Sequence, residues 1–239
     1  MDQGRFRVGS LASSSQAALR KAKHLAGTAI LQIAFVASTV TAALPAGAQE
    51  PSAAASDLML TIRSLRDNDG LPYVVVDKLE ARVFVFNERG AMVASTAALL
   101  GLARGDHSVP GIGDRPLHAI KPEERTTPAG RFLAEAGRNS TGEHVLWIDY
   151  DAALSLHRIR GDARERLHQR LLSATPNDNR TSFGCVTVPV QFYERVIKSA
   201  FAGGRGIVYI MPETMSWQRA FSFNTRTPEI IRVSNSIAE

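Results

Sequence analysis

One feature limits this 239-residue chain more than any other: it has a single cysteine, Cys185. A lone thiol cannot cross-link its own chain, so the fold has to be held by a buried apolar core rather than by disulfides. The 44% apolar content is ordinary for a globular protein and suffices for that. Residues 71–77 and 81–86 are rich in Val and Phe, as strands are. Asn87-Glu88-Arg89-Gly90 is a turn, and 91–97 is expected to return antiparallel, which gives a β-meander. Residues 127–132 lead into a further strand, and 144–150 and 206–211 are two more. Helical spacing of Leu58, Ile62 and Leu65 predicts a short amphipathic helix over 57–66. A second helix is expected over 161–173 with a basic face (Arg164, Arg166, Arg170), and a third from Pro189 to about Phe201. The fold class that follows is mainly β, a β-sandwich with a few short helices.

The first 48 residues read as an export signal. A basic stretch ends at Lys23, an apolar run follows to Leu44, and Ala46-Gly47-Ala48 has the small-x-small pattern of a signal-peptidase site. Cleavage is expected after Ala48, which places the protein in the periplasm. An uncleaved membrane anchor is the competing reading, disfavoured by Gln32, Ser38, Thr39 and Thr41 within the run. The leader also distorts the charge. The whole chain has net charge +5, but 1–48 holds five basic side chains and one acid, so the remainder has 23 basic against 22 acidic groups. That balance gives no electrostatic case for nucleic acid. Residues 49–70 are expected to be a linker and short helix, 71–212 the functional domain, and 213–239 a tail that no pattern assigns beyond Trp217.

Cys185 sits in Thr181-Ser182-Phe183-Gly184-Cys185-Val186-Thr187-Val188-Pro189. In an exported protein such a thiol is either buried and inert or kept free for chemistry. Gly184 allows close backbone approach to a substrate, and Ser182 adds a hydroxyl. A nucleophilic thiol needs a base, a group that orients the base, and donors for the developing oxyanion. Five histidines follow the leader: His107, His118, His144, His157 and His168. His107 and His118 lie in the long segment 101–126, which reads as a functional loop. His168 lies on the basic helix, where a solvated role fits, His144 begins a strand, and His157, 28 residues before the cysteine, follows the strand 144–150 after a short connection and could be held near a second strand end. Trp147 and Phe132 read as core aromatics rather than a sugar platform. Scattered histidines and one cysteine give no zinc spacing, so neither metal nor other cofactor is expected.

Ser182-Phe183-Gly184-Cys185-Val186, together with Thr127-Pro128-Ala129-Gly130 and the opening Val76-Asp77-Lys78 to Gly90, resembles the L,D-transpeptidase catalytic domain, the YkuD-like family. The resemblance covers roughly residues 70–212. It implies that Cys185 is the nucleophile of cell wall biogenesis chemistry on peptidoglycan stem peptides. It implies His157 as base, Ser182 or a backbone carbonyl as the orienting group, and the Gly184 and Cys185 N–H groups as oxyanion donors. The family has His-Gly where this chain has His157-Arg158, arginine where it has Thr187, and often histidine where it has Phe183. Within the resemblance these departures imply a divergent branch, with Arg180, Arg158 and Arg160 as the candidates to hold substrate carboxylates. The same site could serve an L,D-carboxypeptidase or an amidase, and cross-linking, trimming and protein attachment stay open. A catalytically silent protein that keeps the fold to bind peptidoglycan is the alternative from another class.

Overall fold

The computed structural model describes residues 50–161 and 163–223, so the expected leader lies outside the described residues. Chain order begins with helix α1 (Ala53–Leu65). The meander follows as β1 (Tyr73–Asp77), β2 (Arg82–Phe86) and β3 (Met92–Ala97), then the short β4 (Leu100–Gly101). Next come β5 (Gly130–Arg138), β6 (His144–Asp149) and β7 (Leu154–Arg158), then α2 (Arg164–Leu171). The remainder is β8 (Arg180–Ser182), β9 (Val186–Val188), a helical run, β10 (Arg205–Ile210) and a last short helix. The run joins α3 (Val190–Phe192), a π turn (Tyr193–Ile197) and α4 (Lys198–Ala200); the last helix is α5 (Trp217–Ala220).

One mixed sheet of eight strands has the order β3-β2-β1-β10-β5-β6-β7-β9, and β4 and β8 form a separate parallel pair. The chain is mainly β with a few short helices, as its sequence predicts. The two ends of the sheet are drawn together just past β3, where Leu99 and Thr187 of β9 exchange both N–H···O bonds (2.8 and 2.9 Å). One core cluster therefore gathers inward side chains from both halves, among them Val83, Val85, Leu146, Leu156, Val186 and Val208. Tyr193, Ile197 and Phe201 of the helical run join it.

Alternation along the strands sends the other side chains to an outer face. On β1, β2 and β10 these are Tyr73, Val75, Phe84, Phe86, Ile207 and Tyr209, and α1 packs over them through Ala55, Leu58, Met59 and Ile62. The helix starts earlier than its apolar spacing suggests. Ser52 caps it by accepting from the Ala55 N–H (3.1 Å), and its hydroxyl donates to Asp77 (2.6 Å), so residues 53–56 are helix rather than linker. Trp217 and Phe221 complete this layer. The packed body thus runs through the segment after 212 as well as through 71–212.

Candidate active site around Cys185

Cys185 precedes β9 at the end of a tight turn. Gly184 has φ +133, and a Cβ there would lie 2.8 Å from the Thr126 carbonyl oxygen, so only glycine fits. Ser182 closes the turn. Its hydroxyl accepts from the Gly184 N–H (3.0 Å) and donates to the Cys185 carbonyl (2.7 Å). Ser182 therefore braces the turn and makes no contact with a histidine. The Gly184 N–H, expected as an oxyanion donor, is already engaged by that hydroxyl.

Thr127, wholly buried, ties this turn to the rest of the fold. Its hydroxyl donates to the Gly184 carbonyl (2.7 Å) and accepts from the Gly101 N–H (2.8 Å). Behind it, the Lys78 ammonium donates to the Thr127 carbonyl (2.9 Å), the Gly105 carbonyl (2.6 Å) and Asp106 (2.7 Å). Asp106 also accepts from the Glu213 and Thr214 N–H groups (2.8 Å each) and from the Thr214 hydroxyl. Burial works against the Asp106 carboxylate, but Lys78, Thr214 and these N–H groups outweigh it and hold it at about 2. Burial lowers Lys78 from its usual range, partly offset by Asp106 and Glu213.

Arg180 belongs to this charge cluster, not to a substrate site. Its guanidinium donates to Glu213 (2.6 Å) and to the Lys78 carbonyl (2.8 Å), with 7% of its side chain exposed. Arg158 is also occupied, by Glu143 (3.1 Å) and Glu194 (3.2 Å), and Arg160 by Glu143 (2.9 Å). None of the three lines the cavity at the thiol. The arginine that does is Arg115, which faces Glu124 (3.1 Å).

The thiol itself is part-exposed. Its sulfur lies 3.6 Å from the Ser155 hydroxyl and 3.6 Å from the Ala153 carbonyl, to which the S–H donates. Ala153 presents that carbonyl from a left-handed conformation, φ +50. The cavity beside the thiol measures about 100 Å³ and is walled by Ile112, Arg115, Thr126, Ala153 and Phe183 among others. Small-molecule sites usually span about 300–1,000 Å³, so this space holds a single small side chain. Arg125 stacks over the Phe183 ring at 3.9 Å and is anchored on the Ile120 carbonyl (3.0 Å), which fixes one wall.

His157 lies on β7, parallel to β9, with His157 opposite Thr187 and Leu156 opposite Val186. Ser155 and His157 therefore share the outer face with Cys185, Ser155 beside the thiol and His157 one step along. No ring nitrogen stands within hydrogen-bonding distance of the sulfur among the described residues. The His157 Nδ1 lies 2.9 Å from the Arg158 carbonyl, which can only accept, so Nδ1 carries the proton and Nε2 is the basic nitrogen. Burial pushes its pKa down to about 4, against the pull of that carbonyl. Of the other histidines, His144 bonds the Tyr193 hydroxyl (2.9 Å), and burial lowers its pKa too. His107, His118 and His168 are exposed.

Sequence reasoning missed Ser155, Ala153 and Arg115. Ser155 was within reach of strand arithmetic: it is two residues before His157 and so shares its face. Arg115 and Ala153 carry no motif; only the packing of the 101–126 loop on the 150–153 turn brings them to the thiol. There a Cβ on Gly113 would lie 2.3 Å from the Asp151 carbonyl oxygen.

No family model and no curated protein matches the chain. Among solved structures, the NMR structure of the catalytic domain from an E. faecium L,D-transpeptidase aligns at 16% identity with a TM-score of 0.30. The alignment covers 58% of this chain and 95% of that one. A likeness at that level decides neither the fold nor the function of this protein.

Proposed function

We propose that this protein is an exported cysteine-dependent L,D-transpeptidase acting on peptidoglycan stem peptides in the periplasm. The observation that carries the reading is a juxtaposition on one sheet face. It comprises a part-exposed thiol, a hydroxyl 3.6 Å from it, and an imidazole whose Nδ1–H is tied down so that Nε2 is free to accept a proton. The diagonal step between Cys185 and His157 corresponds to about 7–8 Å between backbones, which one water or a ring rotation on substrate binding spans.

His157 Nε2 takes the thiol proton, and the sulfur attacks the peptide carbonyl carbon. The C–N bond breaks, the departing amine takes the proton from His157, and the acyl group stays on Cys185 as a thioester. An acceptor amine then attacks, loses its proton to His157, and the thiol is restored. Ser155 donates its hydroxyl hydrogen to the thiolate, and Ala153 accepts from the resting thiol. The expected Ser182 role becomes one of shape, holding the Gly184 turn.

A second reading has specific support. The Gly184 N–H is engaged, no imidazole among the described residues touches the sulfur, and the cavity is small; these fit a silent protein that binds peptidoglycan without turnover. Mass spectrometry of muropeptides after incubation with purified sacculi separates the readings. New cross-links support the transpeptidase, shortened stems a carboxypeptidase, and unchanged sacculi the silent protein. For the enzyme, Cys185→Ala abolishes the change and His157→Ala slows it by about 10²–10⁴-fold. Turnover should fall as pH drops through about 4, where His157 protonates, rather than through 6.5. Stability follows the same group: the unfolded chain takes that proton near 6.5 and the folded one near 4, so stability is lost as pH falls across the window.

A further inference from the structure

The cavity beside Cys185 is bounded by the 101–126 loop, the start of β7 and the Cys185 turn, and Arg115 is the one charged side chain among the residues that line it. Its backbone ends the short helical turn Ile112–Asp114, the Arg115 N–H donating to the Ile112 carbonyl (3.2 Å). Glu124 faces it from the turn Pro122–Glu124 and is held there in its own right, its Oε2 accepting from the Lys121 N–H (2.9 Å). The pair is incomplete on the arginine side. Nη1 donates to Glu124 Oε1 (3.2 Å), and Nη2 stands 3.1 Å from the same oxygen without the alignment of a hydrogen bond. Nε and Nη2 are both buried, and neither has a hydrogen-bond acceptor among the described residues. These two atoms form the edge of a guanidinium that grips a carboxylate through two parallel N–H···O bonds. A buried donor without an acceptor costs free energy that an arriving acceptor recovers.

We infer that Arg115 is the specificity-determining residue of this site, the anchor for a substrate carboxylate that lies one small residue from the carbon attacked by Cys185. Arg115 and the sulfur border the same cavity, whereas Arg180, Arg158 and Arg160 are engaged by Glu213, Glu143 and Glu194 outside it. The remaining wall is neutral, with Ile112, Leu117 and Ile120 its apolar part, so an entering carboxylate meets one cation there. At about 100 Å³ the cavity admits one small side chain and is too small for a chain that continues past it. With 32% of the side chain exposed, Arg115 brings its unpaired edge to that carboxylate by rotation about its own torsions. Binding then exchanges a contact to one Glu124 oxygen for a two-bond pair. Glu124 is a positioning residue, which keeps the guanidinium at the cavity while no carboxylate is bound.

The inference rests on the transpeptidase reading for the identity of the carboxylate, and its test needs no turnover. Cys185 of the full chain is alkylated with iodoacetate, which carries a carboxylate into the cavity, and with iodoacetamide, its neutral counterpart. Both react with the same thiolate, so the ratio of the two rates cancels any change in the ionisation of the sulfur and reports the charge that receives the carboxylate. The wild-type ratio is expected to exceed that of a neutral free thiol, β-mercaptoethanol, by about tenfold. Arg115→Gln is expected to bring the ratio down to the free-thiol value, whatever it does to either rate alone. Arg115→Lys keeps part of the excess, because the charge stays and the fork is lost. A wild-type ratio equal to that of the free thiol, or the same ratio in Arg115→Gln, overturns the inference. An Arg115-dependent ratio, beside sacculi left unchanged by the wild type, keeps the anion site and removes the transpeptidase; new cross-links with a ratio indifferent to Arg115 do the reverse.

Discussion

On the outer face of the sheet, β1, β2 and β10 lie beneath α1 and the 217–221 segment, whereas β5 and β6 carry no such cover among the described residues. Both regions are built from aromatics. In the covered one, Tyr73 stacks on Phe86 at 4.5 Å and the Tyr209 hydroxyl donates to Asp67 (2.7 Å). In the open one, Tyr150 stacks on Trp147 with its outer face in water. The same chemistry thus serves cohesion where a helix closes over it and stays in contact with water where none does. Leu133, 52% exposed on β5, marks how far the open region extends.

The covered region is tied to the Cys185 turn through Lys78, which follows β1 and reaches the Thr127 carbonyl behind that turn. Replacing it is the most severe way to break the comparison. Lys78→Met leaves Asp106 and Glu213 buried without their ammonium, which is expected to cost about 3–5 kcal/mol in urea unfolding. It is also expected to slow alkylation of Cys185 in the protein that remains folded, because the Thr127–Gly184 brace loses its anchor. Unaltered alkylation would show the Cys185 turn to be independent of that tie.

Leu58→Ala probes the covered region alone. The side chain, on the sheet-facing side of α1, is fully buried, and the change is expected to cost about 3 kcal/mol of stability with no effect on alkylation. Tyr150→Ala gives the smallest effect. It should move stability by less than about 0.5 kcal/mol, as for other surface positions. A loss as large as that of Leu58→Ala would place Tyr150 among the supports of the fold.

The strands were legible because their residues advertise two-sided burial. Val74, Val75 and Val76 are all buried, and so are Val83, Phe84 and Val85. A run of that kind reads as a strand without any knowledge of its partners. The helix from Pro189 was equally plain, apart from its π turn at 193–197. What the sequence concealed depends on contacts between distant segments. Lys78 and Arg180 look like surface charges until Asp106 and Glu213 arrive to bury them. Trp147 looks like core because its neighbours Leu146 and Ile148 are; only its parity on β6 turns it outward. At the site, Cys185 and Gly184 were marked by their motif, whereas the residues that touch the sulfur were set by strand register, which no local pattern encodes.

The bridge between Leu99 and Thr187 has a consequence for the order of events in folding. It joins residues 88 positions apart in the chain. Contacts of that range form only after the entropy of a very long loop has been overcome, and they are the slow steps of β-rich chains. Thr187 is two residues from Cys185, so the thiol reaches its working place only when the chain has almost finished closing on itself. A newly made chain would then carry its thiol without Ser155 and Ala153 beside it, and the reactivity of Cys185 would change as the bridge between Leu99 and Thr187 forms.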